Sequence, residues 1–109
     1  MEAVSFEEFS RSELKMGEVV EAERVAGSRN LMRMIVDFGV EKRQSVAGLS
    51  PWYKPEELVG KSFAFLLNLQ RRKFMGLESQ CMVLAAEDNE GNVVLLVPEK
   101  KVKAGSKIH

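Results

Sequence analysis

The 109-residue sequence has few of the residues on which enzymatic and metal sites commonly depend. Its one histidine is the last residue, His109, so a Ser-His-Asp triad, a Cys-His pair or a multi-histidine metal site has no internal histidine to use. A single cysteine, Cys81, excludes an intramolecular disulfide and a cysteine-based zinc site. No phosphate-loop motif is present. These absences predict a protein that is not an enzyme and that needs no cofactor or metal.

Long apolar runs are also missing. No stretch approaches the length that a membrane-spanning helix needs, and residues 1–5 lack the basic and apolar regions of a signal peptide. We therefore expect a cytoplasmic protein without a membrane partner. The formal net charge of zero argues against a domain that is basic all over, although it leaves room for a local basic patch.

The patterns that are present predict one β-rich domain over residues 1–109. Ser5 followed by Glu8 is a capping-box pattern and indicates a short helix within residues 5–14. Proline and two acids at the start of Pro55–Val59 indicate a second helix of one or two turns. Alternating or continuous apolar residues predict strands at residues 15–25, 31–38, 43–49, 61–69, 79–87 and 93–97.

Three strands, a short helix and two further strands are the order of a five-stranded oligonucleotide/oligosaccharide-binding (OB) barrel. The prediction is an all-β fold: an OB-fold barrel with a short helix between strands 3 and 4, an N-terminal helix and a C-terminal hairpin extension. A turn at residues 88–91 would form that hairpin, followed by a basic tail at residues 100–103. A small β-sandwich is the alternative.

The most informative segment is the basic loop from Asn68 to Met82, which joins two apolar strands. It contains three consecutive cations at residues 71–73, a glycine, Gly76, and small polar groups at Asn68, Ser79 and Gln80. Binding residues concentrate on loops that a rigid scaffold presents, so this segment is a candidate binding surface. Its competing interpretation is a solvated loop whose cations only aid solubility.

Motifs in the correct order resemble the tRNA-binding domain at the C-terminus of methionyl-tRNA synthetases, and its free-standing structure-specific relatives. The resemblance covers nearly the whole chain. It rests on Leu14–Val19, Val36–Gly39, Val46–Leu49, Trp52-Tyr53, Pro55–Lys61, Asn68-Leu69, Gly76, Glu78–Gln80, Met82–Ala86 and the segment from Val97 to Ile108. The chain departs from the family pattern at residues 25–31, at Gln70-Arg71 and at Cys81, which leaves the loop shape and the RNA affinity open.

The resemblance implies structure-dependent and largely sequence-independent binding of tRNA by an OB-fold homodimer, in trans to or associated with methionyl-tRNA synthetase. It also implies that the matching asparagine, serine and methionine belong to the RNA-binding surface. A second hypothesis is a peptide-binding protein like the secretion chaperones of similar fold, which would use an apolar groove.

The candidate RNA-binding residues fall into three groups. Cations of the loop would contact phosphates, polar side chains would bond an unstacked base or the backbone, and cations of the second and third strands would line the usual ligand face or simply be solvated. The groups are Arg71, Arg72 and Lys73; Asn68, Ser79 and Gln80; and Arg29, Arg33, Lys42 and Arg43. Met82 would contact a base or belong to the core.

Aromatic side chains outside the loop have structural interpretations. For Trp52 and Tyr53, packing over the barrel end or in a subunit interface is favoured over stacking on bases. Phe6 and Phe9 are expected to seal the barrel or the dimer, and Cys81 to be a packed small side chain without a redox role.

Overall fold

A computed structural model describes residues 1–109. Two short helices and ten strands make up its regular structure. In chain order they are α1 (Phe6–Ser10), β1 (Leu14–Arg24), β2 (Met32–Asp37), β3 (Lys42–Ala47), α2 (Pro55–Leu58), β4 (Ser62–Leu66), β5 (Arg72–Phe74), β6 (Leu77–Ser79), β7 (Met82–Val83), β8 (Ala85–Glu87), β9 (Val93–Leu95) and β10 (Lys107–Ile108). None of the helices is long and apolar enough to cross a membrane.

Five antiparallel strands form a nearly closed, OB-like barrel in the order β3-β2-β1-β4-β7, which confirms the predicted fold class. The long strand β1 is shared: its first half pairs with β4 and its second half with β2. The alternation of β2 is borne out, because Met32, Met34 and Val36 are all fully buried. At the barrel centre, the rings of Phe38 and Phe65 meet edge to face at 5.5 Å.

The remaining seam of the barrel, between β3 and residues 79–81, is closed mainly by side chains. One backbone bond crosses it, from Gln80 N to the Gln44 carbonyl at 2.8 Å. Gln44 N in turn donates to Gln80 Oε1 at 3.0 Å, and Val46 N donates to Ser79 Oγ at 3.0 Å. Buried Ser45 donates its hydroxyl to the Cys81 carbonyl at 3.0 Å. The seam therefore depends on the identity of its side chains, unlike a backbone ladder.

Both predicted helices form. Ser5 and Glu8 make the capping box of α1, but this helix ends at Ser10, and β1 begins at Leu14. Proline starts α2, and Leu58 on this helix is fully buried in the core, a burial worth about 2 kcal/mol. Helix α2 thus caps one end of the barrel at the predicted place.

The chain after β4 forms more and shorter strands than the sequence pattern predicts. In place of one strand over residues 79–87, the chain forms β6, β7 and β8, and in place of an open loop it forms the hairpin β5–β6. The change of partner explains the division: β6 pairs with β5, β7 with β4, and β8 with β9. The predicted turn at residues 88–91 does connect β8 to β9.

The C-terminal segment returns to the barrel. Residues 100–103 are exposed, as expected of a basic tail, but β10 pairs with the start of β1, Leu14 facing Ile108 and Lys15 facing Lys107. Gly105 allows this return: its N–H donates to the Met16 carbonyl at 2.7 Å, and a Cβ there would overlap the carbonyl oxygen of Phe38. The end of the chain is therefore part of the sheet.

Candidate nucleic-acid interface

The hairpin β5–β6 carries Arg72 and Lys73, and Arg71 directly precedes it. Its two turn residues, Met75 and Gly76, have φ values of 52° and 82°, the left-handed pair typical of a type I′ hairpin turn. Arg72 lies with its guanidinium carbon 5.1 Å from the centroid of the Phe74 ring. A cation held over an aromatic face keeps its N–H groups available at its edges, so this arrangement presents Arg72 for further contacts.

The two neighbouring cations differ in their freedom. Arg71 pairs with Glu78 on the opposite strand at 3.3 Å, and both side chains are about half exposed, so the ion pair contributes little stability. Lys73 is exposed on the same hairpin. All three cations are accessible to a phosphate from the solvent, although Arg71 would have to give up part of its ion pair with Glu78 to bind one.

A cleft of about 80 Å³ opens between β3 and the hairpin. Its walls are mostly apolar, with Val46, Phe74 and Met82 among them, while Arg72 and Ser79 supply polar atoms. Met82 is 40% exposed, which places it on this surface and outside the core. The cleft is far smaller than the few hundred Å³ of common small-molecule sites, so it suits one flat ring or one side chain inserted from a larger ligand.

Asn68 does not line the cleft, and its side chain is bonded within the chain. Its Oδ1 accepts a hydrogen bond from Glu13 N at 2.8 Å, and its Nδ2 donates to the Arg11 carbonyl. These bonds fix the segment that connects α1 to β1 against the end of β4. A second amide N–H of Asn68 stays available to a ligand.

Ser79 and Gln80 bond the barrel seam described above, and Arg43 reinforces it. The Arg43 guanidinium pairs with Glu41 and donates to the carbonyls of Leu67 at 2.9 Å and Gln80 at 3.2 Å. The same three residues therefore hold both ends of the 68–80 segment in place. Of these three predicted site residues, only Ser79 lines the cleft, while Gln80 and Arg43 are bonded within the barrel seam.

The remaining cations of the second and third strands lie in different places. Arg33 is bonded to Gln44 at 2.7 Å and to Glu23 at 3.2 Å, and Lys42 faces Asp37 at the end of β3 away from the cleft. Arg29 belongs to the exposed turn before β2. This turn adjoins the hairpin, because a Cβ on Gly27 would lie 3.4 Å from the terminal methyl of Met75.

Some residues of the cleft were not among those predicted from the sequence. Phe74 follows the three cations directly, and an aromatic residue next to basic residues is a usable signal of single-stranded nucleic-acid binding. Leu69 and Cys81 also line the cleft, and Gln44 and Ser45 hold its wall. Their roles follow from contacts between distant segments, which no local pattern reveals.

The thiol of Cys81 is buried and unreactive. Burial raises the pKa of its thiol from 9.0 to about 11, against the opposing effects of Ser45 and Arg43. The thiol stays protonated at neutral pH, so it lacks the thiolate that nucleophilic chemistry needs. No group of three or more His, Cys, Asp or Glu side chains is placed to hold a metal ion.

Residues 14–107 match the family described as the putative tRNA-binding domain. The chain belongs to this family. It is 48% identical over 108 residues to the methionine–tRNA ligase of Methanocaldococcus jannaschii and 44% identical over 106 residues to that of Thermotoga maritima. These matches cover 99% and 97% of the chain but only 17% of each relative, so the chain spans a small part of the curated relatives it matches.

Solved structures agree with the fold. A methionyl-tRNA-synthetase-related protein from Pyrococcus horikoshii superposes with a TM-score of 0.95 at 39% identity, covering 100% of both chains. The chaperone CsaA from Bacillus anthracis superposes with a TM-score of 0.89 at 30% identity, covering 99% of this chain and all of the other. The fold is thus shared by proteins described as synthetase-related and as chaperone.

Proposed function

We propose that this chain binds tRNA through the hairpin β5–β6 and the adjoining cleft, largely independently of sequence. The observation that carries the proposal is the position of Arg72 and Phe74 at an apolar cleft, on a hairpin with two further cations. Membership in the tRNA-binding domain family supports it. An alternating arrangement of cations and flat or apolar surface is what single-stranded and looped RNA requires.

The two parts of this surface would contribute differently. Arg71, Arg72 and Lys73 would neutralise backbone phosphates, which gives affinity and salt dependence without reading a sequence. The cleft would take one unstacked base against Met82 and Phe74, with a hydroxyl or amide at its rim for a hydrogen bond. A ligand that offers both a bent backbone and an unpaired base is distinguished from a regular duplex by its shape.

The test is titration of labelled tRNA at several salt concentrations, with duplex RNA and an unfolded peptide as competitors. We expect affinity to fall steeply with salt and tRNA to be displaced poorly by either competitor. Replacing Arg72 and Lys73 by alanine should lower the slope of log K against log salt by about 1.4 to 1.8. The matched control is the Lys100→Ala/Lys101→Ala pair on the exposed tail. Equal binding of duplex RNA, or an affinity independent of salt, would exclude the proposal.

Peptide binding is the second candidate function, because the walls of the cleft are mostly apolar and a chaperone shares the fold. In that case an apolar side chain of an extended peptide would fill the cleft. The competition experiment separates the two functions, since a peptide ligand would displace tRNA efficiently and bind with little dependence on salt.

The wider context is part of the same proposal. We propose one domain over residues 1–109 that acts in the cytoplasm as a binding module without catalysis of its own, in trans to or associated with methionyl-tRNA synthetase. The relatives that are themselves synthetases support this association. A homodimer is supported by exposed apolar side chains at Val94, Leu96 and Val97, which a second copy would cover.

A further inference from the structure

A second cavity, lined by several cations, lies at residues 10–15, the segment to which Asn68 is hydrogen-bonded. It has a volume of about 300 Å³ and is lined by Arg11, Lys15 and Lys107 together with Ser10, Ser12 and Glu13. None of these residues lines the cleft beside the hairpin. Three cations therefore line a largely polar, open cavity that has one lining side-chain carboxylate, that of Glu13.

The pairing of β1 with β10 makes this cluster electrostatically unfavourable in the free chain. Lys15 and Lys107 are direct cross-strand partners, so both project from the same face of the sheet. Like charges placed directly opposite each other destabilise a strand pair. Lys15 is also only 28% exposed, which reduces the solvent screening of its charge.

Little within the chain compensates this charge. Glu13 approaches Lys15 at 3.8 Å, a long contact for an ion pair. Glu8, on the helix that precedes the cavity, is occupied with the capping box, where its carboxylate accepts from Ser5. An anion with several oxygens would relieve the repulsion, and the hydroxyls of Ser10 and Ser12 would offer it neutral donors.

The cavity is connected to the proposed RNA-binding surface by Asn68. This side chain holds the Glu13 amide and the Arg11 carbonyl, and Leu67 N donates to the Glu13 carbonyl at 2.8 Å. Three residues beyond Asn68, the chain reaches Arg71. A nucleic-acid backbone that crosses the hairpin therefore has a second cluster of cations anchored to the same segment.

We propose that Arg11, Lys15 and Lys107 form a second phosphate-binding site, which holds a backbone phosphate of the RNA. The inference rests on the proposed function, because the ligand is the same RNA at a position remote from the cleft. The site contributes affinity and orientation without base readout, and it extends the contact surface from the hairpin tip to the junction of β1 with β10.

The test compares tRNA binding by the full chain and by Arg11→Gln/Lys107→Gln, in which both replaced side chains are exposed. We expect the slope of log K against log salt to fall by about 1.4 to 1.8, and the affinity at 100 mM salt to fall by at least about tenfold. Thermal stability should stay equal or rise, because a like-charge pair is removed. Lys15→Gln alone should lower the slope by about half as much.

The control is Lys100→Gln/Lys101→Gln, whose salt slope should equal that of the unmodified chain. If Arg11→Gln/Lys107→Gln keeps the full slope while Arg72→Ala/Lys73→Ala reduces it, the second site is excluded and tRNA binding by the hairpin stands. If the unmodified chain does not bind tRNA, both proposals fail. A titration with inorganic phosphate distinguishes a free anion from an RNA phosphate. If the unmodified chain is saturated by micromolar phosphate and Lys15→Gln keeps its tRNA affinity, the site binds a free anion and the assignment to the RNA backbone is overturned.

Discussion

Ser79 shows how one hydroxyl joins the scaffold to the candidate surface. It accepts a hydrogen bond from Val46 N at 3.0 Å and donates to the Cys81 carbonyl at 3.1 Å, while its side chain lines the cleft. A ligand that bonds this hydroxyl would compete with a contact that closes the barrel. A substitution of Ser79 would therefore change the free energy of unfolding as well as the affinity for a ligand.

Replacing Ser79 by alanine leaves the Val46 amide without a partner at a buried position. We expect the free energy of unfolding to fall by about 1 to 3 kcal/mol, because an unsatisfied buried donor retains its full desolvation cost. Urea unfolding followed by circular dichroism measures this change. Ser10→Ala is the control, since its exposed hydroxyl only donates to the Glu7 carbonyl, and its loss should matter far less. Equal effects of the two substitutions would refute the role assigned to Ser79.

Cys81 predicts a dependence of stability on alkaline pH. The unfolded thiol ionises near its ordinary pKa of 9.0, while burial keeps the pKa of the folded thiol at about 11. Below pH 9 both states hold the proton and the thiol adds no pH dependence. Between pH 9 and pH 11 only the unfolded state releases it, so stability falls by at most about 1.4 kcal/mol per pH unit.

The measurement compares urea unfolding of the unmodified chain and of Cys81→Ala from pH 7 to pH 11. The two curves should run parallel below pH 9, offset by the loss of a small buried side chain, and converge above it. Other groups that titrate in this range affect both proteins alike. Curves that stay parallel to pH 11 would show that the thiol is accessible to solvent in the folded protein.

At the scale of elements, the hairpin β5–β6 depends on its turn. Gly76 takes a left-handed conformation with a φ of 82°, which costs about 1 to 2 kcal/mol for a residue with a Cβ. We expect Gly76→Ala to weaken the pairing of Arg72 with Ser79 and to lower tRNA affinity, while the barrel core keeps its protection in amide hydrogen exchange. Gly48→Ala is the control, because its φ is not positive and a Cβ there meets no atom within 4 Å.

The same hairpin shows where sequence patterns stop being informative. Strands β1 to β4 and the helix α2 are predictable because they are long, alternate clearly, or begin with proline. The strands of the hairpin have three residues each, and Met75 is an unusual residue for a left-handed turn position, so neither periodicity nor turn chemistry reveals them.

The candidate site was predictable in composition but not in role. The cations at residues 71–73 are evident in the sequence and do lie on the hairpin. The bonds of Asn68 to Arg11 and of Arg43 to Gln80 connect residues 57 and 37 positions apart, and a local pattern carries no information about such partners.

Expecting Phe6 to seal the barrel was wrong, because its side chain is 83% exposed. The alternative, that Phe6 seals a dimer, stays a prediction.

For the whole molecule, the exposed apolar side chains at the C-terminal hairpin predict an interface between two copies. We expect the chain to be dimeric by light scattering at micromolar concentration, and Val94→Glu/Val97→Glu to shift it to monomer by placing charges in an apolar contact. Val40→Glu is the matched control, since Val40 is the same residue type and even more exposed but lies in the turn after β2. A monomeric unmodified chain would contradict the prediction.

The pairing of Leu14 with Ile108 also determines how this fold can be cut and rejoined. Strands near both ends of the sequence are therefore neighbours in one sheet, and a linker from residue 109 to residue 1 would close a loop that carries α1. A circular permutant with new ends in the exposed turn at residues 88–91 should keep the barrel intact. In that permutant, only the linker and the segment with α1 separate β10 from β1, so we expect their pairing to form earlier during folding than in the unpermuted chain.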